Sequence, residues 1–499
     1  MRRSLLVLIW FAAAAAVSDA QDANAVRTLE AALAALGGAE KIRSFKSIYF
    51  SARGFEDSSV NAQPYRPGKE ARSSHEEKLA VFLDGRRLAY ELKTERGDST
   101  TRHRRFFFPD TRRLVLDFGT KSAFASNIQY PSADRNQDAR RIPHAFLLEV
   151  LANSSTLREA RSVDVFSGGE FDVFSVTLPG ARVPVSLHFD RNTKLLAKYE
   201  FTADYPGLGP SLFEYMFNDW APHAQLVRFP TKHEIRINGK TFRGLKIEKA
   251  AADSPEADAM LTIPADLAGL VMPAGTVKEV AKGVYFVYGV QGFQPMFIEF
   301  ANFIMAIEAP AGAPVLEDTP VETIGNMNAA TEEFIAKIKQ TIPNKPIKYV
   351  VVTHSHADHF GGLRAFLPDK PTVITTPGNK AYIEKFVPEL TVEAVEKRRS
   401  IKDASMHLDL IDVGRNPHTE ENLIVYLPQS KYLFQGDLFY FNNEATFPAL
   451  DRMTVMPFFA KWLKANKLEP ERIYGFHSTM FGTMAHIEKI LKLSADKTR

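Results

Sequence analysis

From residue 47 to residue 247, apolar and polar positions mostly alternate with a period of two. Ser47 to Phe55, Leu79 to Leu92, Arg104 to Phe118, Phe171 to Leu178, Val183 to Phe189, Leu195 to Phe201 and Lys232 to Ile247 all read as half-buried strand runs. Turn chemistry punctuates them at Asp84-Gly85, Pro109-Asp110-Thr111, Asp190-Arg191-Asn192 and Asn238-Gly239. Two segments switch to a helical period. Ala25 to Leu36 places Val26, Leu29, Leu33 and Leu36 on one stripe and stops at Gly37-Gly38, and His144 to Leu157 is the second. The pattern predicts a β-rich N-terminal domain, residues 21–255, built as a curved antiparallel sheet with a helix across it.

The pattern then changes. Ala250 to Ala257 is small, polar and proline-bearing, and Pro264 and Pro273 follow, so residues 256–272 read as a linker. Beyond it, strands at Val277 to Tyr288, Met296 to Glu308, Ile347 to Val352, Thr372 to Thr375, Leu408 to Val413, Asn422 to Leu427 and Lys431 to Phe434 are interspersed with helical patterns. Those helices fall at Ala330 to Ile342, Asn379 to Phe386, Pro457 to Ala465 and Met484 to Leu493. Such alternation predicts a layered α/β domain over residues 273–499, a length typical of one domain.

The chemistry lies in this second half. Directly after the apolar run Ile347 to Val352 comes Thr353-His354-Ser355-His356-Ala357-Asp358-His359. Four donors on one short loop, from a chain with 13 histidines in 499 residues, suit a borderline-soft divalent ion such as zinc. The competing reading is a solvated polar turn leading into Gly361-Gly362. His418, Asp437 and His477 each follow an apolar run at a predicted strand end, where active-site groups of layered α/β folds gather. The chain has no cysteine, so every metal ligand must be nitrogen or oxygen.

His354-x-His356-x-Asp358-His359, followed by His418, Asp437 and His477, resembles the five-motif signature of the metallo-β-lactamase fold superfamily. The resemblance implies an αββα sandwich carrying two metals. His354, His356 and His418 would hold the first, Asp358, His359 and His477 the second, and Asp437 would bridge them. Glu308 stands where many relatives have aspartate, and is expected to support the ligands or to have no role. The ligand set implies hydrolysis by a metal-bound hydroxide, with Asp358 as the catalytic carboxylate that orients the nucleophile and relays a proton. Without cysteine, and with Leu438-Phe439-Tyr440 after the bridging position, the chain is more similar to thioesterase, lactonase and phosphodiesterase branches than to the zinc β-lactamases. The Gly37-Gly38 helix stop and the Asp190 to Lys194 hairpin loosely resemble periplasmic lipoprotein-carrier half-barrels.

Composition narrows the picture. With 62 basic and 59 acidic residues the formal net charge is +3, too balanced to suggest nucleic acid as a partner. The basic run Arg102 to Arg105 ahead of Phe106-Phe107-Phe108 reads as an exposed strand edge running into a buried one. Met1-Arg2-Arg3, the apolar Leu5 to Val17 and Ser18-Asp19-Ala20 have the layout of a secretory signal peptide, residues 1–20, which predicts a periplasmic or secreted protein with no membrane span after cleavage. The expected function is a metal-dependent hydrolase of an ester, thioester, lactone or amide in a small-molecule substrate, with two zinc ions per chain and iron or manganese as other candidates. Two alternatives stand beside it: an oxidoreductase similar to the iron persulfide dioxygenases, and a metal-containing binding or accessory protein. The aromatic runs Phe439-Tyr440-Phe441 and Phe458-Phe459 read as core or as pocket lining.

Overall fold

A computed structural model of the chain describes residues 22–61, 72–95, 101–110, 112–119, 121–129, 138–166, 168–179, 183–205, 208–269, 271–273, 275–311, 327–444, 447–448 and 455–496. The expected signal peptide lies outside these residues. Among them, no helix is long and apolar enough to cross a membrane.

The alternating half forms one fourteen-stranded sheet. From edge to edge it runs Val271–Pro273, Ser122–Gln129, Arg112–Asp117, Thr101–Phe108, Leu88–Glu95, Arg72–Phe82, Ser47–Asp57, Lys240–Ala252, Leu226–Ile237, Gly209–His223, Leu196–Tyr205, Val185–Asp190, Gly169–Val176 and Arg158–Phe166. Every pair is antiparallel except the edge pair of Val271–Pro273 with Ser122–Gln129. Asn238 and Gly239 both take positive φ, 50° and 76°, which gives the hairpin turn its twist.

Three helices cover one face. Asp22 caps the helix Ala23–Ala35 by accepting from the Asn24 and Ala25 amides. Leu29 and Leu33 of that helix, Ile42 of Ala39–Ser44 and Phe146, Leu147 and Val150 of Pro143–Ala152 share one apolar cluster with Phe50, Leu79, Tyr199 and Phe213 of the sheet. Fully burying a leucine of this kind contributes about 1.5–3 kcal/mol.

Two expectations need correction. Residues 256–269 are folded rather than a linker. Pro255–Met260 and Ala265–Ala268 are helical, and Ala257, Met260 and Leu267 cover Tyr49, Phe82, Phe107 and Leu116 on the opposite face of the sheet. Small and proline-rich composition misled because Pro255 sits in the first turn of a helix, where its missing N–H costs nothing. The strand holding Arg104 and Arg105 is interior, not an edge. Arg104 Nε pairs with Asp117 at 2.7 Å and Arg105 Nε with Glu91 at 2.7 Å, both on flanking strands.

The second half is a four-layer αββα sandwich. A seven-stranded sheet runs Thr276–Ala281, Val284–Tyr288, Met296–Glu299, Ile304–Ile307, Ile347–Val351, Thr372–Thr375 and Val392–Ala394. A five-stranded sheet runs Arg398–Lys402, His407–Asp412, Leu423–Leu427, Tyr432–Gln435 and Arg472–Gly475. Phe286, Ile298, Ile307 and Val351 of the first meet Leu408, Leu410, Val425 and Phe434 of the second in the central layer. Helices Ala329–Thr341 and Pro377–Phe386 cover the larger sheet through Phe334, Ile338 and Ile383. Met456–Ala465 and Met484–Asp496 cover the smaller through Phe459, Leu463 and Ile487. The halves touch. Ala311 is buried in the apolar cluster of the N-terminal sheet, and Lys385 Nζ donates to the Leu208 carbonyl at 3.2 Å.

Candidate metal centre

The strand Ile347–Val351 ends beneath a single helical turn, Ala357–Phe360, with His356 as its N-cap. Within this loop all four candidate donors point into the protein: His354, His356 and His359 are fully buried and Asp358 nearly so. His418 arrives on the turn before Leu423–Leu427, Asp437 just after Tyr432–Gln435, and His477 just after Arg472–Gly475. All seven donors converge at one edge of the sandwich, as two groups with ligand atoms close together: His354, His356, His418 and Asp437, and Asp358, His359 and His477.

In the first group, His354 Nε2 lies 2.9 Å from His356 Nδ1 and 3.2 Å from His418 Nε2. The tautomer of His354 follows from its neighbours. The Thr353 hydroxyl donates its one proton to Glu308 Oε1 at 2.6 Å, so toward His354 Nδ1, 3.0 Å away, it must accept. That leaves the proton on Nδ1 and a lone pair on Nε2, aimed at two other imidazole nitrogens. Burial, with the charge of His359 beside it, pushes His354 well below its ordinary pKa, so it stays neutral.

Asp437 joins the groups. Its Oδ2 is 3.1 Å from His418 Nε2, while Oδ1 is 2.9 Å from His359 Nε2 and 3.3 Å from His477 Nε2. Asp358 Oδ2 is 3.2 Å from His477 Nε2 and 3.6 Å from His359 Nε2. Burial opposes charge on Asp437, yet His477, His359 and His418 hold its carboxyl well below the usual range. Burial likewise opposes charge on His359, and Asp358, Asp437 and Glu308 together raise it well above the usual value.

These groups fit a metal. The buried carboxylate oxygens of Asp358 and Asp437 have no hydrogen bond of acceptable geometry from the protein, and in the first group His354 Nε2 has imidazole nitrogens at 2.9 and 3.2 Å. Metal–nitrogen bonds of about 2.0–2.1 Å in a tetrahedral shell set neighbouring ligand atoms about 3.3 Å apart, close to the observed spacing. A cation at each focus would be within reach of every ligand atom of its group.

Glu308 takes a clear position. It is fully buried, adopts φ 73°, binds both the amide and the hydroxyl of Thr353, and lies 3.1 Å from His359 Nδ1. One carboxylate thus supports a ligand of each group. A non-glycine residue held in the left-handed region is a strained conformation of the kind that clusters at functional sites.

Other supports were not singled out in the sequence. Asn416 Oδ1 accepts from the His418 and Thr419 amides at 2.8 and 2.9 Å, an Asx turn that sets His418; an Asn two residues before a candidate ligand is a readable signal. Gln435 Oε1 accepts from the Leu438 amide and its Nε2 donates to the Phe439 carbonyl, which closes the turn around Asp437. Gly436 is obligatory, since a Cβ there would sit 2.5 Å from Thr353 Oγ1 and 3.1 Å from His354 Nδ1. Asn442 Nδ2 donates to the His477 carbonyl at 3.1 Å. Of the aromatic runs, Phe439, Tyr440, Phe441 and Phe459 are all core, and the Tyr440 ring also lies nearly parallel to His477 at 6.1 Å.

Residues 327–477 match the family profile of the metallo-beta-lactamase superfamily. A metallo-beta-lactamase type 2 from Bacillus cereus is 27% identical over 108 residues, which cover 22% of this chain and 41% of that protein. The chain thus spans about two-fifths of the length of the curated relatives it matches. Among solved structures, a metallo-beta-lactamase from Pontibacter korlensis is 20% identical, covering 44% of this chain and 99% of its own, with a TM-score of 0.33. The metallo-beta-lactamase FIM-1 from Pseudomonas aeruginosa, in its mono-zinc form, is 17% identical, covering 45% and 96%, with a TM-score of 0.34.

Proposed function

We propose that the C-terminal half, which has the metallo-β-lactamase fold, is a metal-dependent hydrolase that cleaves an ester, thioester, lactone or amide bond. The observation that carries this reading is the placement of Asp437, one carboxylate oxygen toward each ligand group at 2.9–3.3 Å. His354, His356 and His418 would hold one zinc ion, Asp358, His359 and His477 a second, with Asp437 shared. Two such ions supply a Lewis acid for the substrate oxygen and a water acidified to a pKa of about 7.

The chain's own residues do the rest. Glu308 and Thr353 keep the His354 proton on Nδ1, so its other nitrogen is free to ligate. Asp358, nearly fully buried with both oxygens turned inward, is the group to orient the attacking water and take its proton. The buried histidine rings keep bulk water from the ligand atoms, which strengthens each electrostatic contact. A chain carrying the proposed signal at residues 1–20 would act in the periplasm or outside the cell.

The test is metal analysis of purified protein together with turnover of chromogenic esters, thioesters, lactones and a cephalosporin. Two zinc ions per chain with chelator-sensitive turnover is the expected result. Turnover indifferent to chelation, or no turnover of any class, would overturn the hydrolase reading.

A further inference from the structure

The two ligand groups are anchored differently. The supports of His354, His418 and Asp437 described above, Thr353, Glu308, Asn416 and Gln435, all belong to the C-terminal sandwich. The second group shares Glu308, 3.1 Å from His359 Nδ1, but in addition reaches the N-terminal sheet, through Ala311 and through Asn443. The Asp358 carbonyl accepts from the Ala311 amide at 3.2 Å, whereas the His359 carbonyl accepts from Ala309, which lies in the sandwich's own core. Ala311 itself is fully buried in the apolar cluster of the sheet. On the other side, Asn442 grips the His477 carbonyl through Nδ2 and the Thr479 amide through Oδ1. The next residue, Asn443, donates Nδ2 to the Lys121 carbonyl at 3.1 Å. Lys121 stands in the turn between the sheet strands Arg112–Asp117 and Ser122–Gln129, and its side chain pairs with Asp266 on the covering helix.

We propose that the β-rich N-terminal unit is part of the scaffold of the Asp358–His359–His477 trio, and that it sets the affinity of the second metal position while leaving the first to the sandwich. Asn443 is a positioning residue: it touches no ligand atom, and acts by fixing the loop that holds His477. The inference rests on the two-metal reading above. Losing one neutral hydrogen bond corresponds to about three- to tenfold in an equilibrium constant.

The experiment is titration of the full chain with zinc against a chromophoric chelator, repeated with cobalt to follow the d–d absorption of each position. Wild type should take up two ions in separable steps. Asn443→Ala and Asn443→Asp, the second isosteric but unable to donate, should each weaken the second step about three- to tenfold and leave the first unchanged. Lys385→Ala removes a different tie between the halves, to the Leu208 carbonyl, and should change neither step. Unfolding midpoints equal to wild type would show that each variant is folded. Equal weakening of both steps, no weakening in either Asn443 variant, or the same effect from Lys385→Ala would overturn the inference. Uptake of fewer than two ions by wild type would overturn the two-metal reading, and the inference with it.

Discussion

Each half of the molecule buries a cluster of histidines and carboxylates, and the two clusters differ in how their hydrogen bonds close. Inside the N-terminal sheet, Glu77 pairs with Arg141 and accepts from the Tyr90 hydroxyl at 3.2 Å, with His75 Nε2 at 3.1 Å. Arg243 donates to Glu56 at 2.8 Å and to the Tyr90 hydroxyl at 3.2 Å. Burial works against charge on Glu77, but Arg141 leads a set of neighbours that hold it ionised well below the usual range. Guanidinium groups bring donors only, so they close a carboxylate network without outside help. The candidate metal centre is built from histidines and carboxylates whose ligand atoms lie within 4.8 Å of one another in each group. A buried polar cluster that closes on arginines is structural; one of histidines and carboxylates at ligand spacing could hold a cation.

The largest effect should come from the centre of the open cluster. Asp437→Ala should abolish uptake at both positions and nearly all turnover, because one carboxylate serves both groups; two ions bound with unaltered affinity would remove its bridging role. In the closed cluster, Arg141→Ala leaves Glu77 buried and partly uncompensated, and should cost about 3–5 kcal/mol of stability. Denaturant unfolding measures it, and a loss below about 1 kcal/mol would mean the network is not self-sufficient. Glu308→Gln keeps the shape of the supporting side chain but removes its charge. Metal affinity by chelator competition should fall about 10- to 100-fold. An unchanged affinity would mean that Thr353 and His359 hold their orientation without it.

The mildest test uses pH. Burial pushes His144 down to about 4 and His233 down to about 3 in the N-terminal core, against an ordinary value of 6.5. A depressed histidine pKa means the unfolded chain binds the proton first. Stability is therefore full above pH 6.5 and falls as pH drops toward 4, by about 2 kcal/mol for each histidine at pH 5. His144→Phe should flatten the pH dependence of the unfolding midpoint over that window. An unchanged slope would place the acid sensitivity elsewhere.

The fold was readable wherever periodicity and turn chemistry agreed. Asn238-Gly239 and Asp84-Gly85 marked their hairpins correctly, and the helix stop at Gly37-Gly38 appears as positive φ values of 107° and 93°. Gly209–His223 was missed. Its two prolines, glycine and Asn-Asp pair look like loop, yet it is a fifteen-residue strand. Phe213, Tyr215 and Phe217 face the core from alternate positions, and burial of three aromatic rings outweighs unfavourable local propensity. The same tertiary override turned the expected linker into cover for an apolar sheet face.

The seven metal-type donors are written in the sequence because ligand chemistry is carried by residue identity and by spacing within a loop. Their separation into two groups and the place of Asp437 came only through the family resemblance, and the reach of Glu308 to Thr353 and His359 was not readable at all. Those contacts join residues such as Glu308 and Thr353, 45 positions apart, and Asn443 and Lys121, 322 apart. Local propensity carries no information across such distances. Only the packing of two sheets and their helices brings the loops to one edge, so tertiary structure alone decided what holds each donor in place.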